Sequence, residues 1–436
     1  MSNRNLDTAA RYLKSRDALV RAERVIPLGT QTFSKSRLQY PVGIAPQFMA
    51  RGKGARIWDI DGNEYVDLVC ALLPVVLGYC DSDVDAAIRA QLDDGIVLSL
   101  PSLQETELAE RLTGIIPCAE MVRFGKNGSD VTSAAIRLAR AFTGRDRIAT
   151  CGYHGWQDWY IGATVRNKGI PRAVCELTHR FVYNDIEGLH RILQQHPGEF
   201  AAVIMEPMNT EEPKDGFLEK VRDLTHQHGA LLVFDEVITG FRFSLGGAQE
   251  YFGVTPDLAA FGKAMGNGMP IAAVVGRADI MREMEEIFYS GTFGGETLSI
   301  AAAIAVIDKM RREPVIATLW KRGEEIAAGV RKLLSDAGLA ETITLKGKAP
   351  WVLLDIKDHP KARGPAIKTA LLRELLLNGV FGSSSHNVCY ALTNADIATI
   401  LAAYRAALQV IVEELAEGTL ESGLGGASVQ PVFKVR

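Results

Sequence analysis

The chain has 436 residues, 47% hydrophobic and 23% charged, with a formal net charge of −4. That composition is ordinary for a soluble globular protein, and the length exceeds what one hydrophobic core usually fills, so two substructures are expected. Charges of both signs are interspersed without the basic stripe of a nucleic-acid binder, and no membrane association is expected, because Met1–Asp17 lacks the apolar core of a signal peptide and the most apolar stretch, Leu298–Ile307, is about half the length a bilayer requires.

Six cysteines (Cys70, Cys80, Cys118, Cys151, Cys175, Cys389) are scattered with no C-x-x-C pair, which reads as reduced core thiols of a cytoplasmic protein. No metal site is expected: His226 and His228 are two apart on a helix, so they face different directions, on its solvated side.

In chain order, a helix is expected around Tyr12–Val25, ended by Pro27-Leu28-Gly29. A β-hairpin follows, Ala55–Asp59 and Tyr65–Leu68 flanking the turn Asp61-Gly62-Asn63. From about residue 80 to 310, short apolar runs alternate with helical periodicity. Val122–Phe124 leads into a helix at Ser129–Phe142, and Ala202–Met205 leads through Gly216–His228 to Leu231–Phe234, with Leu258–Phe261 and Ile271–Val275 beyond. Buried strands alternating with helices predict βαβ units and a mostly parallel sheet. A long helix begins near Thr297 and breaks around Pro314. The remainder reads as α+β, with helices at Trp320–Ala337, Ile367–Leu377 and Asn394–Glu414 and a strand near Trp351–Ile356. The expected division is an N-terminal helix-and-hairpin segment (1–66) packing with the small domain, a large α/β domain (67–316) and a smaller C-terminal α+β domain (317–436).

Ligands of open α/β sheets sit outside the carboxyl ends of the strands, so polar residues where apolar runs stop carry the most information. Three places stand out. In Phe124-Gly125-Lys126-Asn127-Gly128-Ser129-Asp130, Gly128 permits close backbone approach, Ser129 is a natural N-cap, and a helix N-terminus offers free N–H groups to an anion. In Leu231–Val237, a buried strand ends in Asp235 and Glu236, which must either form a salt bridge, with Arg242 or Lys263, or point into a cleft. In Leu258–Gly268, Lys263 closes an apolar strand, and a semi-buried lysine with a lowered pKa can form a Schiff base. A phosphate-binding P-loop is excluded there, because Asp257 stands where glycine is needed and Ala264 where Ser or Thr is needed. Together the anion cradle, the carboxylate and the amine meet the needs of a phosphorylated pyridine aldehyde, an electron sink for a carbanion at a substrate's Cα.

These stretches resemble the class III aminotransferases that use pyridoxal 5′-phosphate (PLP), in particular their glutamate-1-semialdehyde aminomutase-like branch. The resemblance runs from Ile57-Trp58-Asp59-Ile60-Asp61-Gly62 to Gln430-Pro431-Val432-Phe433. Its most specific part is Val233-Phe234-Asp235-Glu236-Val237-Ile238-Thr239-Gly240-Phe241-Arg242 followed by Lys263, with Tyr153-His154-Gly155-Trp156 and Gly291-Thr292-Phe293-Gly294-Gly295 in support. It implies an aspartate-aminotransferase-like fold with a seven-stranded-type central sheet. It further implies that Lys263 forms the Schiff base and moves the proton, that Asp235 bonds the ring nitrogen, that Val237 and Tyr153 lie on the two ring faces, and that Gly128 and Ser129 bind the phosphate. Glu206 becomes a pocket carboxylate, and Thr292 reaches the phosphate of a neighbouring subunit, making the expected enzyme a homodimer with shared active sites.

The departures from the aminomutase pattern favour transamination. The Gly/Ser-rich gate that traps an intermediate has no counterpart in the shorter stretch from Trp156 to Tyr183. Lys35 replaces the arginine expected for the substrate carboxylate, no acidic residue matches in Ser383–Asn387, and Glu296-Thr297 stands where Asn-Pro is common. The expected reaction is therefore ping-pong transfer from an amino donor to an aldehyde or ketone, with glutamate-1-semialdehyde 2,1-aminomutase as the alternative. Lys35, Trp156, Trp159, Glu296 and His386 are the substrate candidates, a polar set that suits a hydroxylated or sugar-like acceptor; core or interface packing is the competing reading for both tryptophans, and a turn cap for His386.

Overall fold

The computed structural model describes residues 10–382 and 384–430, so Ser383 and Pro431-Val432-Phe433 lie outside it. The chain forms two compact units, one from residues 10–72, Val76–Asp81 and 317–430, the other from Leu73–Val75 and Ser82–Ile316.

The first unit begins with the helix Leu13–Glu23 and the strands β1 (Met49–Lys53), β2 (Arg56–Asp59) and β3 (Glu64–Asp67). The hairpin expected around Asp61-Gly62 forms, pairing Arg56 with Val66 and Trp58 with Glu64. Gly62 takes φ +95°, a conformation cheap only for glycine. The Asp59 carboxylate closes the turn by accepting from the Asn63 N–H, the Asn63 side chain and the Tyr65 hydroxyl, each at 2.8 Å.

The second unit holds seven strands: β4 (Met121–Gly125), β5 (Arg147–Cys151), β6 (Thr178–Arg180), β7 (Phe200–Met205), β8 (Leu231–Asp235), β9 (Leu258–Phe261) and β10 (Ala272–Gly276). Their order is β4-β10-β9-β8-β7-β5-β6. The expected mostly parallel sheet is present: β5 through β9 pair in parallel, and only β10 runs antiparallel to its neighbours. Every residue of β7, β8, β9 and β10 is buried, which requires cover on both faces and explains why these segments read as unbroken apolar runs. The helix Gly128–Thr143 supplies part of that cover through Val131, Ala134, Ala135 and Leu138, packed with Ile204, Val233 and Ala260 in one core. Val131, Leu138, Ile204 and Val233 each contribute about 1.5–3 kcal/mol by leaving water.

The first unit resumes with β11 (Ile343–Lys348), β12 (Trp351–Ile356), β13 (Val380–Phe381) and β14 (Ser385–Asn387). The last two join the sheets β1-β2-β3-β13 and β11-β12-β14. One stretch passed over in the sequence is the helix Asn394–Glu417, which is long and apolar enough to cross a membrane, by length and composition. Half of that stretch is buried, and Ile397, Ile400, Ala403, Tyr404, Ala407, Leu408, Ile411 and Leu415 make the three-and-four spacing of one face turned to a protein core. It is a core helix of this unit. Of the six cysteines, Cys70, Cys118, Cys151 and Cys389 are buried as expected, whereas Cys80 is exposed and Cys175 half-buried; all six are free thiols.

Candidate active site

Glu206, Asp235 and Lys263 follow or end three neighbouring parallel strands, β7, β8 and β9, so their side chains arise along one edge of the sheet. Lys263 is half-buried with φ +41°, a left-handed conformation that costs a non-glycine residue on the order of 1–3 kcal/mol and turns the chain sharply at the strand end. Its amine makes no hydrogen bond or ion pair among the described residues. Burial pushes it below the ordinary lysine range; Asp235 and Glu206 oppose that shift, and the buried Arg242 adds to it.

Asp235 and Glu236, adjacent in sequence, divide their work. Asp235 is 5% exposed; its Oδ2 lies 2.8 Å from Nδ1 of His154, and its Oδ1 accepts the Val237 N–H at 3.1 Å. Glu236 accepts from the Thr239 hydroxyl (2.6 Å), the Ala248 and Gln249 amides (2.6 and 2.8 Å) and the Gln249 side chain, which fixes the loop beyond β8. Neither carboxylate bonds to Lys263. Glu206 is buried and accepts from the Tyr153 N–H (3.1 Å) and from Asn209 (2.6 Å); burial and then the Asp235 charge push its pKa up. The Tyr153 ring is half-exposed and stands edge-on to Tyr160, their centroids 5.6 Å apart.

The anion cradle is built differently from the expectation in one detail. The helix starts at Gly128 and its cap is Asn127, not Ser129, because Asp130 reaches back to the Asn127 and Lys126 amides at 2.8 and 3.2 Å. Ser129 therefore sits inside the first turn, where its amide and that of Gly128 find no acceptor among the described residues. Ser129 Oγ accepts the Trp156 N–H at 3.2 Å, which leaves the hydroxyl proton free to donate. Glycine is required on both sides of this turn. A Cβ at Gly128 would stand 3.0 Å from Val237, and one at Gly155, whose φ is +102°, would stand 2.2 Å from Ser129 Oγ.

Three of the five substrate candidates are committed to partners within the fold. Glu296 caps the helix Thr297–Arg312, accepting from Leu298 N (2.9 Å) and Ser299 Oγ (2.6 Å) while paired with Lys126 at 2.8 Å, so its acceptor capacity is spent. Trp159 is a core residue that donates to Ser133 Oγ at 2.9 Å. His386 is 2% exposed, bonded to the Tyr404 hydroxyl at 2.6 Å, and burial lowers its pKa to about 4, so it is a neutral core ring rather than a turn cap. Trp156 is 65% exposed. Lys35, in the other unit, is exposed and lines a cavity of about 460 Å³ with Tyr40, Phe48, Met49, Asp67 and Phe381. Thr292 is exposed on the loop 290–294, beside Lys126 and Arg137 in a cavity of about 370 Å³. Sequence reasoning gave no role to His154 or Asn209. His154 lies 81 residues from its partner Asp235, and only its place beside Tyr153 at the end of β5 hinted at it.

The residues thus supply unpaired amides at a helix start for a phosphate, a buried carboxylate for a cationic ring nitrogen, and an uncommitted amine for a carbonyl carbon. The family described as Aminotransferase class-III matches residues 40–407. The chain belongs to the class-III aminotransferases. This class-III aminotransferase is 36% identical over 405 residues to the 3-aminobutyryl-CoA aminotransferase of Cloacimonas acidaminovorans, covering 90% of this chain and 96% of the relative. It is 35% identical over 397 residues to the glutamate-1-semialdehyde 2,1-aminomutase of Desulforamulus reducens, covering 86% and 91%. The PLP internal aldimine form of the Sphingopyxis sp. MTA144 FumI protein superposes with a TM-score of 0.86 at 33% identity, over 92% of this chain and 97% of that one. PLP is the cofactor of this enzyme, and the residues above fit it.

Proposed function

We propose that the chain transfers an amino group between two separate small molecules, an amino donor and an aldehyde or ketone acceptor, with Lys263 as the group that makes and breaks the link to the cofactor. The observation carrying this reading is the Lys263 amine, held without a partner beside two buried carboxylates, in surroundings that favour its neutral, nucleophilic form.

When bound, PLP supplies an electron sink for the carbon that carries the substrate's amino group. The chain supplies the rest. Gly128 and Ser129 would hold the phosphate with their free amides and the Ser129 hydroxyl. Asp235 would bond the ring nitrogen, and Val237 and Tyr153 would flank the ring. Lys263 would hold the cofactor's carbonyl carbon, and its Nζ would move a proton at the substrate carbon. Glu206 holds the Tyr153 amide and narrows the pocket beside Gly152. Thr292 serves the phosphate site of a partner subunit, making the working enzyme a cytoplasmic homodimer.

Two features support transfer between molecules. The stretch from Trp156 to Tyr183 contains two glycines and no serine, and it is occupied by the short helices Asp158–Ile161 and Arg172–Cys175 and the strand β6. Trp159 and Tyr160 are buried and anchor its first helix in the core. An anchored segment of this kind is a poor gate for retaining an intermediate. With Glu296 and His386 enclosed, the polar set that suggested a sugar-like acceptor no longer stands. A 3-amino acid or its thioester is the donor class we favour, on the similarity to the 3-aminobutyryl-CoA enzyme. The second reading, intramolecular transfer, is favoured by the similarity to a glutamate-1-semialdehyde aminomutase.

The test mixes holoenzyme with single amino donors, L-glutamate and 3-aminobutyrate first, without acceptor. Conversion of the cofactor absorbance with one oxo product released per site supports transamination. Isomerisation of glutamate 1-semialdehyde with no free oxo product would overturn it in favour of the mutase.

A further inference from the structure

We infer that Lys126 and Glu296 are positioning residues: their ion pair moors the loop 290–294 to the turn in which the phosphate cradle begins, and so fixes where Thr292 is presented. The inference rests on the reading of Thr292 made above, in which its hydroxyl serves the phosphate site of a partner subunit.

The loop carries glycine at 291 and 294 and is followed by Gly295. Glycines raise the entropy lost when a chain is held in one place, so such a loop needs fastening at its ends. At the first end, Arg123 donates to the Tyr289 carbonyl at 3.2 Å, and Arg137 donates to the Phe288 carbonyl at 2.5 Å. The Tyr289 hydroxyl fills the space over Gly125, where a Cβ would stand 2.5 Å from it. At the second end, the Lys126 ammonium reaches Glu296 Oε2 at 2.8 Å. All of these anchors lie on β4, on the helix Gly128–Thr143 or in the turn between them. Between the fastened ends, the Gly294 N–H turns back on the Gly291 carbonyl at 2.9 Å, while Ser290, Thr292 and Phe293 are exposed.

Lys126 differs from the other anchors because both its backbone and its side chain are committed. Its N–H donates to Asp130 Oδ2 at 3.2 Å, within the cap of the cradle helix. Its ammonium enters the cap of the helix Thr297–Arg312, where Glu296 also accepts from Leu298 N and Ser299 Oγ. One residue thus ties together two helix starts that lie far apart in the chain. The paired side chains are only 19% and 11% exposed. At that burial, desolvation offsets much of the attraction, so the pair is a poor source of stability and a good means of fixing register. Burial works against the Glu296 charge, but Lys126 and Ser299 outweigh it and hold the carboxyl below the ordinary glutamate range.

The experiment compares holoenzyme of the wild type, Lys126→Met, Glu296→Gln and the double variant. Methionine keeps the length of the lysine stem without its charge, and glutamine keeps an oxygen for the helix cap. Amides 289–296 should exchange with deuterium about tenfold faster in each single variant. The phosphorus resonance of the bound cofactor should move, and its release on dilution, followed by absorbance, should show PLP held about tenfold more weakly. Two residues that act as one unit give a double variant that matches the singles. Lys126→Arg, which keeps the charge, should stay within about twofold of wild type. Wild-type exchange and an unmoved phosphorus signal in both single variants would overturn the inference, as would a double variant whose loss is the product of the two singles. Loop exchange reports the mooring whatever Thr292 touches. Thr292→Val tests the other reading separately: PLP affinity equal to wild type would remove Thr292 from the phosphate site and leave the mooring of the loop standing.

Discussion

Asp257 and Lys263 sit at opposite ends of the same strand, β9, and both are ionisable groups in the second unit's interior. At the amino edge, Asp257 is 3% exposed and accepts from the Leu232 N–H, His226 and Arg277, at 2.8, 2.8 and 2.9 Å. At the carboxyl edge the Lys263 amine accepts burial with no partner at all among the described residues. A sheet of this kind has no structural need to leave a charge open, since closing it with donors is easy at the other end. Where the fold tolerates an open amine, in a left-handed residue that is itself strained, the reason lies in chemistry rather than stability.

The largest effect should come from replacing the open group. Lys263→Ala should abolish borohydride-fixed cofactor attachment and lower turnover by about 10⁴-fold, the upper range for losing a positioned proton-transfer group, while the protein folds at least as well as before. The stability sign follows from the depressed amine: the folded state binds fewer protons there than the unfolded chain, so wild-type stability rises with pH up to the ordinary lysine pKa. Without cofactor, Lys263→Met should therefore be more stable than the wild-type chain at neutral pH, with the gain disappearing near pH 10.5, as thermal melts across pH would show. A Lys263 variant that melted earlier at neutral pH would remove the contrast between the two edges.

Asp235→Asn should cost about 10- to 150-fold in the donor half-reaction, the equivalent of 1.5–3 kcal/mol for a hydrogen bond to a charged group, measured by single-turnover absorbance. His386 sharpens the comparison from the first unit, where a closed group titrates. Its folded-state pKa of about 4 lies below the ordinary 6.5, so stability is present above pH 6.5 and lost as pH falls toward 4. His386→Phe should flatten that acid limb by roughly 3 kcal/mol in denaturant melts. Asp257→Asn should lower stability by about 1–3 kcal/mol, because the Leu232 amide and the Arg277 guanidinium lose an ionised acceptor, and should leave turnover per folded molecule unchanged. Trp156→Ala, at an exposed position, should shift stability by less than about 0.5 kcal/mol; a larger change in donor KM would single it out as a substrate contact.

The sequence made the strands of the large sheet readable because β7 to β10 are buried on both faces, so their apolar runs need no alternation. Lys263 and Asp235 were readable for the same reason: a charge directly after such a run is conspicuous. What escaped depends on partners far along the chain. Glu296 looks available until Lys126, 170 residues earlier, closes on it. His386 looks like a turn residue until Tyr404 covers it, and His154 looks like part of a motif until Asp235 is seen across from it. Ser129 was read as a cap because serine is a good one, but Asp130, reaching back three residues, gave that position to Asn127.

Gly155 carries a practical consequence for anyone wishing to change what this enzyme accepts. The loop that carries Tyr153 and Trp156 is an obvious place to randomise, since both side chains are half-exposed or more. Position 155 should be left out of any such library: a methyl group there would overlap the Ser129 hydroxyl, and every variant with a side chain would be screened with its phosphate cradle already displaced, whatever its neighbours had gained.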